Sequence, residues 1–390
     1  DRTSRGLGDV YKRQQFILSS SADNLTPLTA NVLVATEFES SDDAPPVGSG
    51  SSIYFLTKKG DFAGIREYIT QTDVTLKDAS NITIHVPRLI PSGIFKLAVS
   101  NNQDILVCLG TDNPNKLFIN RWLFGTQGQK VLNSWFTFTI NPNRRIKNVD
   151  FIGTDLFLVI EEDTHVTLEK LPFESDYKED NATFEYHLDH KVTEASNNVT
   201  VTFNTTTKKT IFTVPYRLRG EMNVVGRYIA SNETSTFVDL NGTTQTLKAG
   251  TIIKTTNQTD GTTSTIEANG DYRNAKVIIG EPFEMHYRFS KQRITESPTQ
   301  SSAEIISSRL QLHHFYIKFE ETGFFKVEVT PEYRDTSVHK FSGRLLGAAS
   351  SAIGQINLAT GTFRVPIMSR ADRVDIDAVS YTHLTLPTTD

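Results

Sequence analysis

The sequence has a single cysteine, Cys108, in 390 residues. An internal disulfide and a cysteine-rich zinc site are therefore excluded, as expected of a protein made in a reducing compartment. No run approaches the roughly 20 apolar residues of a membrane-spanning helix, and no basic, apolar and small-residue signal opens the chain. The residues thus give no sign of membrane insertion or of export. Positive charge is also in short supply. With 40 Lys and Arg against 45 Asp and Glu the net charge is -5, so no polybasic footprint grips nucleic acid and any contact with DNA should be weak. Helical periodicity is scarce too. The one stretch that predicts a helix is short, around Asp78 to Ile84, with Asp78 or Ser80 as cap and Pro87 as stop.

What is present is enough for folded cores, since 37% of the residues are hydrophobic and the length suits two or three domains. Asp1 to Gln14 and Val379 to Asp390 resemble translated sequencing-adaptor sequence. They are set aside, and the natural protein is expected to continue in both directions. Between them, short apolar runs alternate with turn residues, which predicts strands at 31–36, 53–57, 95–99, 105–109, 117–123, 135–140, 149–152, 156–161 and 166–171. Asn101-Asn102, Asp112 to Asn115, Gly125 to Gly128, Asn141 to Asn143 and Gly153 to Asp155 supply the reversals. Four strands at roughly ten-residue spacing, followed by a similar set, suggest successive β-propeller blades, with a β-sandwich as the alternative. The expected class is all-β, with propeller-like blades and an inserted β domain. The expected divisions are 15–191 as the propeller-like region, 192–276 as a more exposed Thr/Asn-rich β insert, and 277–378 as a second β-rich region completing the propeller or platform. In the last, Arg309 to Phe319 and Phe324 to Val329 predict a β-hairpin that sets Phe315, Ile317 and Phe319 opposite Phe325, Val327 and Val329.

Candidate chemistry is thin. His187, Asp189 and His190 offer metal-ligating groups, but in a strand His190 points away from the other two. His313-His314 and His85 read as packing or turn histidines. Glu161-Glu162-Asp163 and Glu320-Glu321 are adjacent acids at strand ends, which diverge where a glycosidase needs them to converge. Pro46 to Ser52 lacks the Lys of a phosphate loop and reads as a bend. The Asn-x-Ser/Thr triplets at Asn198, Asn204, Asn232, Asn241 and Asn257 arise by chance in such composition. Arg121, Trp122, Phe124, Lys130, Trp135, Arg144, Arg145 and Lys147 could form a stacking surface for single strands. Their alternation instead predicts rings, Trp122 and Trp135 above all, in blade cores and charges facing solvent or a neighbouring subunit. No catalytic, cofactor-binding or metal residue is assigned, and no cofactor is expected.

Several stretches, in order, resemble the tail tubular protein B family, the nozzle of T7-like podovirus tails. They are Pro46 to Ser52, Ile65 to Tyr68, Ile82 to Arg88 with Ile90 to Gly93, Val131 to Trp135, Gly280 to Phe289, Arg309 to Leu312, Glu321 to Val329, and Phe363 to Pro366. The resemblance implies a structural protein of the virion tail, assembled in the bacterial host cytoplasm as a six-copy ring below the portal and adaptor. It also implies tail-fibre partners, retention of packaged DNA and transient, non-specific passage of viral duplex DNA at ejection. A balanced or acidic lumen suits that passage, because dense Lys and Arg would hold phosphates by counterion release. The rival readings are a tail-associated glycan hydrolase and a host-surface binding module.

Overall fold

The computed structural model describes residues 15–20, 26–36, 38–69, 79–126, 130–162, 165–174, 186–196, 198–218, 220, 222–229, 233–257, 264–296, 303–304, 309–342 and 359–381. Among them the chain is all-β, apart from one 3-10 turn at Ala371–Arg373. It divides into two compact units, Asp1–Tyr177 and Lys178–Asp390.

The first unit is built from antiparallel meanders whose strands pair in chain order. Its first sheet joins Val47–Ser49, Ser52–Lys59, Phe62–Ile69 and Ala79–Asn81. The second joins Ile94–Ser100, Ile105–Gly110, Lys116–Phe124 and Lys130–Thr139, and the third Arg145–Ile152, Asp155–Glu161 and Val166–Pro172. A hairpin of Gln15–Ser20 and Ala30–Thr36 precedes them. The middle sheet is buried on both faces, which is why all six residues of Ile105–Gly110 are inaccessible. Leu97, Leu106, Cys108, Phe118 and Trp122 pack on Tyr54, Leu56, Ala63 and Ile65 of the first sheet. From the opposite face, Ile105, Val107, Leu109, Leu117 and Ile119 pack on Ile146, Val149, Leu156, Leu158 and Ile160 of the third. A strand covered on two sides has no reason to alternate in polarity. Phe62–Ile69, which carries buried residues on both faces, escapes a search for alternation for the same reason.

The nine strands predicted in this region all correspond to observed ones, although Ile140 falls just beyond the end of Lys130–Thr139. The helix over 78–84 is not there. Ala79–Asn81 pairs with Arg66–Tyr68 and a turn follows, while Asp78 lies outside the described residues. The Asn81 side chain accepts from the Thr83 backbone N–H at 3.0 Å and from the Thr83 hydroxyl at 2.7 Å. Such a local bond stabilises the turn in competition with a helix. Pro46 to Ser52 forms a tight reversal, with Ser49 opposite Ser52 and Gly50 at φ +58°, a backbone region glycine enters without penalty.

In the second unit, strands far apart in the chain lie side by side. Leu188–Thr193 pairs with Val277–Pro282, which pairs in turn with Asn223–Gly226 and, through it, Ile252–Ile253. A second sheet orders Thr200–Asn204, Lys209–Thr213, Thr265–Asn269 and Thr255–Asn257. Together they enclose a core that includes Phe212, Met222, Val224, Ile266, Val277 and Ile279. The Thr/Asn-rich stretch therefore contributes to a buried core, which it shares with Val277 and Ile279.

The end of the chain forms two layers. A sheet orders Glu284–Arg288, Val374–Tyr381, Phe324–Pro331 and Ser337–Ser342, and a long ribbon pairs Gln311–Thr322 with Ala359–Arg370. Val379 to Tyr381 completes the second of these sheet strands. The predicted hairpin is corrected here. Gln311–Thr322 and Phe324–Pro331 do not pair with each other. The chain turns at Gly323 from one layer into the other, so the phenylalanines meet across the core and not across a ladder, Phe319 lying 5.3 Å from Phe325 between ring centroids. Alternation identifies the buried face of each strand but is silent on whether that face meets a neighbour in its own sheet or in the layer opposite.

Candidate functional site

The charged residues of the first unit are the natural place to look for chemistry, and among the described ones Glu67, Arg144 and Glu162 are buried. Lys130, at the start of the last strand of the second sheet, reaches Glu67 at 2.5 Å and the Tyr54 hydroxyl at 3.1 Å. Its ammonium lies 4.6 Å from the Trp122 ring centroid, a cation–π contact. Glu67 also accepts from Tyr54 at 2.9 Å and Ser52 at 2.8 Å, so three donors converge on its Oε1. Burial first, then the charge of Glu67, push the Tyr54 phenol well above its ordinary range. Arg144, with 1% of its side chain accessible, donates from Nε to Glu162 at 3.1 Å and from Nη2 to Glu169. Burial raises the Glu169 carboxyl against the opposing pull of Arg144. Lys130 and Arg144 thus depart from the expectation that the charges of this segment face outward. Their carboxylates make burial tolerable, since a buried ion without a partner is strongly unfavourable.

The remaining candidates scatter. Trp122 is buried, and Trp135 donates from Nε1 to the Ile82 carbonyl at 3.0 Å. Arg121 and Arg145 are exposed, Lys147 pairs with Glu161 at 2.8 Å, and Phe124 is 48% accessible. Glu161 turns to Lys147 and Glu162 to Arg144, so these adjacent acids diverge, while Asp163 lies outside the described residues. Glu320 is exposed. His85 is exposed in the turn after Asn81. His187 sits edge-on to Phe283. His190, at φ +50° in a register irregularity, lies over Tyr216, whose hydroxyl donates to the His190 carbonyl at 2.8 Å. His187, Asp189 and His190 do not converge on one point. Asn204 accepts from two backbone N–H groups in its own turn, and Asn232 lies outside the described residues.

Among the ion groups of the second unit, two centre on carboxylates with little access to solvent, Glu194 and Asp377. Arg227 forks onto Glu194, which also accepts from the Val277 N–H at 2.9 Å. In the terminal sheet, Asp377 accepts from Arg288 Nε at 2.8 Å and lies 2.9 Å from His286 Nε2. Burial pushes the Asp377 carboxyl up, but the bonds and charges of Arg288 and His286 outweigh it and hold the group below its ordinary value. On the ribbon, Arg364 donates from Nη2 to His314 Nε2 at 2.6 Å. Partial desolvation, then the charges of Arg364 and His313, push the His314 imidazole down.

Apolar side chains remain on the surface of the first unit. On the third sheet Ile152, Val166 and Leu168 are 67%, 61% and 70% accessible, with Val159 opposite Leu168 in register. The end of the second sheet exposes Leu123, Phe124, Val131 and Leu132.

The described residues thus present stacked antiparallel β-sheets with ion pairs in their interiors and apolar side chains on their surfaces. The family model for the bacteriophage nozzle protein matches residues 11–389, and the chain belongs to that family of structural components of the phage tail. It is also 24% identical, over 92% of its length, to the tail tubular protein gp12 of Escherichia phage T7. The chain spans 43% of the length of that curated relative.

Proposed function

We propose that the chain forms part of a ring-shaped nozzle at the end of the short tail, which retains packaged duplex DNA and conducts it into the host at ejection. The match to the nozzle family over 11–389 carries this reading. In it the protein is no enzyme, and its partners are further copies of itself in a hexamer, the adaptor ring and tail fibres. The three stacked meanders of the first unit are consecutive propeller blades, and residues 192–276 form an inserted body. The exposed Ile152, Val166 and Leu168 support the blade reading, because an interior blade needs a neighbour on each face and, among the described residues, the third sheet packs on the second by only one. Light scattering on the full-length protein tests the ring. A mass near six chains is expected, and a strict monomer under mild conditions overturns it.

A further inference from the structure

The outward face of the ribbon sets two cations without carboxylate partners beside an exposed tyrosine. From Gln311–Thr322 it presents His314, Tyr316 and Lys318, and in register opposite them Pro366, Arg364 and Thr362. Tyr316 is 60% accessible, and Lys318 and Arg364 are exposed. Five cations of this terminal body are paired, Arg288 with Asp377, Lys291 with Asp375, Lys326 with Glu328, Arg370 with Asp372 and Arg373 with Glu332, while Arg309, Arg334 and Lys340 are exposed and, among the described residues, meet no carboxylate. Among the described residues, Lys318 and Arg364 meet no carboxylate. Arg364 spends one nitrogen on His314, which orients the planar guanidinium and leaves its other donors outward. On the same face Glu320, beside the turn, is the described acid.

We propose that this face contacts the phosphate backbone of duplex DNA, an inference that rests on the nozzle reading. Two uncompensated cations flanking an exposed phenol are complementary to phosphate oxygens. The arginine can donate two parallel bonds to one phosphate, while the lysine acts as a point charge. The sparseness is functional. Two phosphates neutralised per copy give a weak, salt-labile hold that steadies DNA without stalling it, unlike a densely basic lumen.

The test is fluorescence anisotropy of a short labelled duplex titrated with full-length protein across a salt series, run beside light scattering on the same samples. Lys318→Ala with Arg364→Ala should weaken low-salt binding on the order of tenfold and flatten the log–log salt dependence by about 2 per contacting copy. Lys318→Arg with Arg364→Lys should keep the slope, and Lys326→Ala, which removes a neutralised cation, should change neither quantity. Absence of low-salt binding by the unaltered protein, or equal binding by the double alanine variant, overturns the proposal. So does a preference for single strands that Tyr316→Ala abolishes, which would make the face a stacking platform. A ring of normal mass whose binding ignores the double variant sinks the ribbon alone, whereas a monomer sinks the nozzle reading and leaves the DNA comparison still readable.

Discussion

The first unit and the terminal two-layer body reach similar burial by opposite routes. In the first, the strands within each sheet pair in chain order, and the interior is mostly aliphatic, with Ile, Val and Leu on both faces of the middle sheet. In the second, partners lie far apart: Glu284–Arg288 pairs with Val374–Tyr381, and Gln311–Thr322 with Ala359–Arg370. Its core is a mesh of rings in which Phe325 meets Phe319, Phe341 and Phe363 at 5.1 to 5.3 Å. Local pairing lets a sheet grow without closing long loops, while distant pairing must meet that entropy before contacts repay it. The terminal body should therefore depend more on a few large side chains. Both tryptophans, Trp122 and Trp135, lie in the first unit. Their fluorescence follows that unit alone, and hydrogen exchange can follow the other.

The largest effect should come from Phe325→Ala. Removing the ring from the centre of the mesh should cost about 3–5 kcal/mol. Exchange should accelerate across 324–331, 359–370 and 374–381 while the tryptophan unfolding midpoint holds. A matching drop in the tryptophan signal would break the comparison by showing that the units unfold as one. Next is Arg144→Ala, which leaves Glu162 buried without its cation and should lower the tryptophan midpoint by about 3 kcal/mol. An Arg144→Met, Glu162→Gln, Glu169→Gln triple variant should recover much of the loss, because without ions there is no desolvation to offset.

A smaller effect separates the units by pH. Asp377 is held below its ordinary value by Arg288 and His286, so the folded state binds its proton less readily than the unfolded chain. Its contribution is complete above the unfolded carboxylate pKa of about 3.9 and is lost as pH falls through the lower folded value. Exchange protection of 284–288 and 374–381 should decline below about pH 4, and Asp377→Asn should remove that acid dependence at a neutral-pH cost of about 1 kcal/mol. An unchanged acid profile in Asp377→Asn would assign the sensitivity to other carboxylates.

The same contrast explains what the sequence reveals. Strands such as Asp155–Glu161, whose burial alternates strictly, are legible from polarity, and chain-order pairing makes their neighbours legible too. Phe62–Ile69 is hidden because both its faces are covered. The layer crossing at Gly323 is hidden because a hairpin and a two-layer turn bury the same alternate residues. Lys130 and Arg144 look like surface charges until Glu67, Glu162 and Glu169, up to 63 positions away, come alongside. The resemblance to nozzle proteins rests on short ordered motifs, so it is legible where pairing is not. The outward cations of the ribbon are visible as residues, but their want of carboxylates is a property of the fold.

The smallest effect tests whether the third sheet is an interior blade. Val166→Thr with Leu168→Thr changes two side chains that are 61% and 70% accessible. In the isolated chain, stability by tryptophan fluorescence should move by no more than about 0.5 kcal/mol. If a further sheet or a neighbouring copy covers this face, the same pair should cost about 1–3 kcal/mol in the assembled full-length protein, where buried apolar area is lost to hydroxyls. Equal, negligible effects in both settings would mean the face stays open. The meander stack would then end at its third sheet, with Val166 and Leu168 facing solvent.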